Sequence, residues 1–273
     1  MPHSSLSPSP QRLSLSHLSV GYPQGRKGHK AVLSDINATL YAGELTCILG
    51  ANGIGKSTLL RTLSGFQRPL SGHITLESEA HNESIDLQRL PHAAMARMVS
   101  IVLTGKPEVQ NLQVHELVAL GRSPYTDFWG NLKPEDEHIV KHAMEQVGIL
   151  HLHNRQLNTL SDGERQKTMI AKAMAQSTPI ILLDEPTAFL DFPSKVEMLQ
   201  LLQRLAHESQ KLILLSTHDL ELALQLADRL WLVEKDRPLK TGTPQTLAKS
   251  GDLKAFIDSK HLVFEDGRVK VRE

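Results

Sequence analysis

Hydrophobic and polar positions along the chain switch between two rhythms. Leu13-Ser14-Leu15-Ser16 and then Leu18-Ser19-Val20 alternate with the two-residue period of a half-buried strand, which predicts a strand ending near Gly21. The apolar runs at 45–49, 180–183 and 212–215 are short, unbroken and bounded by turn residues, and each reads as a buried strand. Helical spacing marks 57–64, 135–147, 164–176, 194–210 and 220–227. Gly65 suits the cap after the first of these helices, and Gly148 ends the second. Ile170, Ala173 and Met174 share one face of the third, and Leu199, Leu202 and Ala206 face inward on the fourth. Strands alternating with helices imply an α/β fold with a parallel sheet covered by helices. The middle, about 86–176, is richer in helix patterns and reads as a subdomain inserted into that sheet. Residues 23–30, PQGRKGHK, read as a polar loop, and the Ser/Pro-rich residues 1–12 as a disordered tail that is neither a signal peptide nor an anchor. No internal repeat is present.

Composition narrows the classes. The 273 residues carry 30 Lys+Arg against 30 Asp+Glu, which argues against a protein working mainly as a polyelectrolyte on nucleic acid. No apolar stretch approaches the roughly 18 residues of a spanning helix, so work at a membrane would need a partner to hold the chain there. The single cysteine, Cys47, excludes an intramolecular disulfide and sits where a buried strand residue is expected. Of the 14 histidines, His138 and His142 share a helix face and His151 and His153 are near in sequence. No carboxylate or cysteine cluster completes a zinc site around them, and scattered surface histidines are the simpler reading.

The chemistry lies in GANGIGKST at 50–58. Gly50, Gly55, Lys56 and Ser57 satisfy the phosphate-loop pattern, between a strand and a helix. Glycines let backbone N–H groups approach phosphate oxygens, and the helix that follows points its positive N-terminus at them. Lys56 can reach the β- and γ-phosphates, the Ser57 hydroxyl can join a Mg²⁺ shell, and Thr58 can bond the α-phosphate. Such a site needs an apolar strand ending in acid. Residues 180–185, IILLDE, supply it: Asp184 would hold Mg²⁺, through water, and Glu185 would polarise the attacking water.

With these residues the sequence resembles the ATP-binding subunits of ABC transporters, over nearly the whole chain. The resemblance is carried by Tyr22, GANGIGKST, LSDGERQ at 160–166, IILLDEP at 180–186, FLD at 189–191 and STHD at 216–219, in that order. It implies a P-loop NTPase with a mainly parallel sheet core, an antiparallel β subdomain and a helical subdomain at about 105–176, all within one ATP-binding domain spanning 13–273. It also implies ATP and Mg²⁺ as cofactors. The phosphate-loop backbone at Gly50, Asn52, Gly53, Ile54 and Gly55 would hold ATP together with Lys56, Ser57 and Thr58. Tyr22 would stack on adenine, or else pack at a strand end. Glu185 and His218 would carry the chemical step. Ser161 and Gly163 would bind the γ-phosphate of ATP held by Lys56 of a second copy, so that two chains sandwich two ATPs head to tail. Asp191 would lie at that seam; it would also serve as an acid at a helix N-terminus beside Pro193.

LSDGE departs from the family's usual LSGGQ at Asp162 and Glu164. Ser161 and Glu164 also suffice as a plain capping box. Asp162 adds negative charge near the expected triphosphate, which would weaken closure unless a cation offsets it. A second departure lies at Thr104, where the family carries a glutamine that reaches the Mg²⁺ shell. A threonine hydroxyl can ligate or hydrogen-bond a Mg²⁺ water, and its shorter reach favours a bridging water. Gln110 is the rival from the same loop.

Residues 117–125, LVALGRSPY, look like the equivalent stretch in ATPases that import iron–siderophore complexes, haem or cobalamin. This points to an importer motor for iron–siderophore-type cargo, on the inner face of the cell membrane. Its partners would be a second ATPase copy, transmembrane permease subunits and, indirectly, a substrate-binding protein. The alternatives are the ATPase of a haem, cobalamin or metal-ion importer, or a soluble ABC ATPase of cluster-assembly type.

Overall fold

The computed structural model describes residues 11–24, 28–78, 83–105, 111–258, 262–265 and 268–271. The chain opens with an antiparallel pair, β1 (Gln11–Gln24) and β2 (Gly28–Tyr41). β3 (Leu45–Leu49) leads through the glycine loop into α1 (Lys56–Leu63), and Gly65 follows with φ +77 in the left-handed region that a helix end needs. β4 (Ser71–Ser78) and β5 (Glu83–Asp86) complete a four-stranded antiparallel sheet in the order β2-β1-β4-β5. α2 (His92–Met98) runs without a break into β6 (Val99–Val102). A helical block follows, made of α3 (Val114–Ala119), a 3-10 turn at Leu120–Tyr125, α4 (Pro134–Gln146) and α5 (Asp162–Ala175). Next come β7 (Ile180–Asp184), α6 (Phe192–Ser209), β8 (Leu212–Thr217), α7 (Leu220–Leu226), β9 (Arg229–Leu232) and β10 (Lys240–Gly242). α8 (Pro244–Ser250), α9 (Asp252–Ile257) and the hairpin of β11 (Leu262–Glu265) with β12 (Arg268–Val271) close the chain.

The central sheet has the order β10-β9-β3-β8-β7-β6. Its strands are parallel except β10, which pairs antiparallel to β9 at the edge. β3, β7 and β8 are buried along their whole length, which is why they read as unbroken apolar runs. Their side chains feed two cores in alternation. Leu45, Cys47, Leu49, Ile181, Leu183, Ile213 and Leu215 join the core under the helices. Ile48, Ile180, Leu182, Leu212 and Leu214 join the core shared with α1 and the antiparallel sheet. Among the described residues no helix is long and apolar enough to cross a membrane.

Three expectations need correction. The tail ends before Gln11, not after Arg12: Gln11 pairs with Ser78, and the Arg12 side chain donates to Glu77 at 2.7 Å. Residues 1–10 lie outside the described residues. The polar loop at 23–30 is mostly strand, since Tyr22 pairs with Lys30 and Pro23 with His29. Ladder bonds come from the backbone, so a polar edge segment pairs without an apolar pattern. The helical insert does not begin near 86, because β6 claims Val99–Val102 for the central sheet; among the described residues its first helix starts at Val114, in line with the bound of about 105 rather than 86.

Arg122 knits the helical insert together. Its guanidinium donates to Asp136 at 2.9 Å, to the Ala175 carbonyl at 2.8 Å and to the Ser177 hydroxyl at 3.0 Å, and lies 4.0 Å above the Tyr125 ring. Arg97 of α2 holds the same turn from the other side through the Pro124 carbonyl at 2.9 Å. Burial pushes the Asp136 carboxyl up, but the Lys133 N–H and Arg122 outweigh it and leave it below the ordinary range. The stabilisation is therefore present above the ordinary carboxylate pKa and is lost as pH falls through the lowered folded value. Arg122→Met should destabilise the protein by about 3–5 kcal/mol, because it strands Asp136 in the interior. Urea denaturation checks this; an unchanged midpoint would contradict it.

Candidate functional site

The glycine loop folds around Lys56. The ammonium donates to the Gly50 carbonyl at 2.8 Å and the Ala51 carbonyl at 3.3 Å, and the residue is buried. Burial lowers the Lys56 pKa, and the charges of Glu185 and Asp184 push it back up. Two glycines are sterically required. A Cβ on Gly50 would stand 2.8 Å from the Val233 carbonyl oxygen, and one on Gly55, at φ +120, would stand 2.5 Å from Val32. No side chain caps α1 at Gly55, so its first N–H groups face the loop uncapped.

Tyr22, Asn52, Gly53, Gly55, Lys56, Ser57, Thr58 and Glu185 converge on a cleft of about 500 Å³, with Lys30 and Val32 on its wall. Tyr22 reaches the first turn of α1, its hydroxyl 2.8 Å from that of Thr58. Gly50 underlies the loop through its carbonyl, and Ile54 lines the adjacent groove with Val233.

Asp184 is the last residue of β7 and is buried. Ser216, opposite it on β8, donates to its Oδ1 at 2.7 Å and accepts the Glu185 N–H at 2.9 Å. Glu185 steps off the strand at φ +47, and the His218 ring nitrogen lies 3.9 Å from its carboxylate. Asp219 then pins the His218 loop to α6, meeting Lys195 at 3.1 Å. Thr104 also arrives here, but its hydroxyl donates to the Asp184 backbone carbonyl at 2.7 Å and so has its proton engaged. Gln110 lies outside the described residues.

Ser161 and Gly163 are not among the residues lining that cleft. Ser161 caps α5: its hydroxyl and N–H donate to the Glu164 carboxylate at 2.9 and 2.8 Å, and the Glu164 N–H returns to the hydroxyl at 3.2 Å. The Ser161 amide, then its hydroxyl, hold the Glu164 carboxyl below its ordinary range. Cations offset both departures from the signature pattern. Arg165 lies 3.5 Å from Asp162, and Arg155 lies 3.8 Å from Glu164. Asp191 caps α6 through the Ser194 N–H at 3.2 Å. Two residues here were given no role in the sequence analysis. Ser216 sits inside the quoted STHD motif but its contact depends on strand register, and Lys30 belongs to the segment read as loop.

A parallel sheet, a glycine loop closed on a lysine, and adjacent carboxylates at the end of a neighbouring strand define a phosphate-loop nucleoside triphosphatase. Residues 33–188 match the family described as ABC transporter, and the chain belongs to that family as an ATP-binding, ATP-hydrolysing member. It is 35% identical over 254 residues to an uncharacterized ABC transporter ATP-binding protein of Methanocaldococcus jannaschii, covering 93% of this chain and 84% of that one. It is 36% identical to the iron(3+)-hydroxamate import ATP-binding protein FhuC of Bacillus subtilis, covering 85% and 82%. Its fold superimposes on a metal-chelate type ABC transporter in an inward-facing conformation with a TM-score of 0.74, at 26% identity and 95% coverage of each chain.

Proposed function

We propose that this chain is the motor subunit of an importer for iron–siderophore-type metal chelates, and that it works as two copies beneath a transmembrane permease. It would sit on the inner face of the cell membrane through that permease, with a substrate-binding protein acting upstream. The observation that carries this reading is the division of the site. One cleft holds the phosphate loop and Glu185, while Ser161 and Gly163 stand outside it, available to a second copy. The iron(3+)-hydroxamate import relative supports the cargo class. Phe189 and Phe192, 71% and 65% exposed, flank Asp191 and give the proposed seam apolar surface to bury.

In this reading the Gly50, Asn52, Gly53, Ile54 and Gly55 backbone, with Lys56, Ser57 and Thr58, binds the phosphates, and Tyr22 stacks on adenine. The oxygen donors fit Mg²⁺: the Ser57 hydroxyl, and the Asp184 carboxylate, whose Oδ1 is fixed by Ser216 while Oδ2 remains for the metal's water. Bound there, Mg²⁺ supplies charge neutralisation on the phosphoryl oxygens. Glu185 accepts a proton from the attacking water, and His218 holds that carboxylate in place. Thr104 bears on this shell through the Asp184 backbone.

The Ser161 hydroxyl must leave the Glu164 carboxylate to donate to a γ-phosphate. Glu164→Gln keeps a side chain able to cap α5 and removes a negative charge, so ATP-driven association of two copies should tighten by about 3–10-fold. Titrating association with ATP checks this; an unchanged or weaker association would contradict it. The function as a whole is tested by crosslinking in cells where the protein is active. Capture of a membrane-spanning permease through residues at about 104–130 supports it, whereas exclusively soluble partners would favour a cluster-assembly ATPase.

A further inference from the structure

We propose that Thr104 and Ser216 are positioning residues that grip the two ends of one peptide group and thereby aim Glu185. The inference rests on the reading of Glu185 as the group that activates water. The peptide group joining Asp184 to Glu185 has a carbonyl and an N–H pointing to opposite sides of β7. Thr104, just past the end of β6, donates to the carbonyl at 2.7 Å. Ser216, on β8, accepts the N–H at 2.9 Å. β6 and β8 flank β7, so the two hydroxyls close on the peptide from both sides, at the point where the sheet's own ladder ends.

The direction of each bond is forced. A carbonyl can only accept, so Thr104 gives its proton. The Asp184 Oδ1 takes the Ser216 proton at 2.7 Å, so Ser216 meets the Glu185 N–H with a lone pair. Ser216 therefore sets the Asp184 carboxylate and the Glu185 backbone with one oxygen. The backbone needs such a hold. Glu185 stands at φ +47, a region a side-chain-bearing residue adopts only when its surroundings impose it. Rotating this peptide would swing the Glu185 carboxylate away from His218 and the cleft.

The two grips differ in strength. Ser216 is fully buried, so no water replaces its hydroxyl without rearrangement. Thr104 is exposed, and water can substitute in part for its bond. A hydroxyl that merely satisfies the core would affect stability alone, so the readouts must separate positioning from folding.

The experiment uses the full chain with Ser216→Ala, Ser216→Thr, Thr104→Ala and Thr104→Ser. In nucleotide-free, metal-free protein, Ser216→Ala should speed hydrogen exchange of the Glu185 amide by about tenfold or more, and Ser216→Thr should restore protection. With Mg²⁺-ATP, Ser216→Ala should lower kcat by about tenfold or more with ATP affinity unchanged, while Thr104→Ala lowers it about two- to fivefold and Thr104→Ser recovers it. Wild-type exchange and kcat in Ser216→Ala, or a change confined to thermal stability, would overturn the proposal. Normal turnover in Glu185→Gln would instead defeat the reading of Glu185, and the exchange measurement would still report whether the clamp exists.

Discussion

Glu185→Gln is expected to keep ATP bound and to lose about 10²–10⁴-fold in turnover. The substitution is nearly isosteric, so the backbone at φ +47 and the bond from its N–H to Ser216 persist. What changes is the side chain's ability to accept a proton. An amide cannot act as a general base, and among the described residues no other carboxylate lines the cleft, since Asp184 is buried and tied to Ser216. The phosphate contacts proposed for the glycine loop, Lys56 and α1 would be untouched. Equilibrium ATP binding and steady-state phosphate release, measured on the same preparation, check both halves. Near-normal turnover would remove Glu185 from the chemical step.

Lys56→Ala is expected to act on binding instead. The ammonium is held inside the loop by two carbonyls and is buried enough that its pKa is lowered, with Glu185 and Asp184 opposing that shift. A cation so placed is suited to exchange its carbonyl partners for phosphate oxygens. Charge-assisted bonds of this kind contribute about 1.5–3 kcal/mol, so ATP affinity should fall by about 10–100-fold. The loss should be large for ATP and small for AMP, since Lys56 is expected to reach only the β- and γ-phosphates. Calorimetry with ATP, ADP and AMP tests the pattern, and equal losses for all three would mean that the loop itself had collapsed.

Legibility in the sequence followed the physics of each element. β3, β7 and β8 were readable because burial on both faces leaves unbroken apolar runs. α4, α5 and α6 were readable because each buries one stripe, and α4 also stops at Gly148. β6 was hidden because α2 enters it with no turn residue between Met98 and Val99. The full length of β1 was hidden because its ladder passes through irregularities between Leu15 and Gly21 and continues into Tyr22, Pro23 and Gln24, where pairing needs no apolar side chain. Within the site, the glycine loop is local in sequence and was legible at once. The bond from Ser216 to Asp184 spans 32 residues and exists only through the register of two strands, so no spacing rule reveals it. Thr104 was singled out only through the family resemblance, by counting back without a gap from Val114, and its bond to the Asp184 carbonyl needed the fold.

The central claim is that the catalytic site is completed by a second copy. Sedimentation of Glu185→Gln, with and without Mg²⁺-ATP, tests it most directly, with Ser161→Arg added as a second substitution to block the seam. The predicted result is one-chain mass without nucleotide, two-chain mass with Mg²⁺-ATP, and one-chain mass again once Ser161→Arg is present. Two-chain mass that persists in Glu185→Gln/Ser161→Arg, or one-chain mass in Glu185→Gln with ATP demonstrably bound, would contradict it.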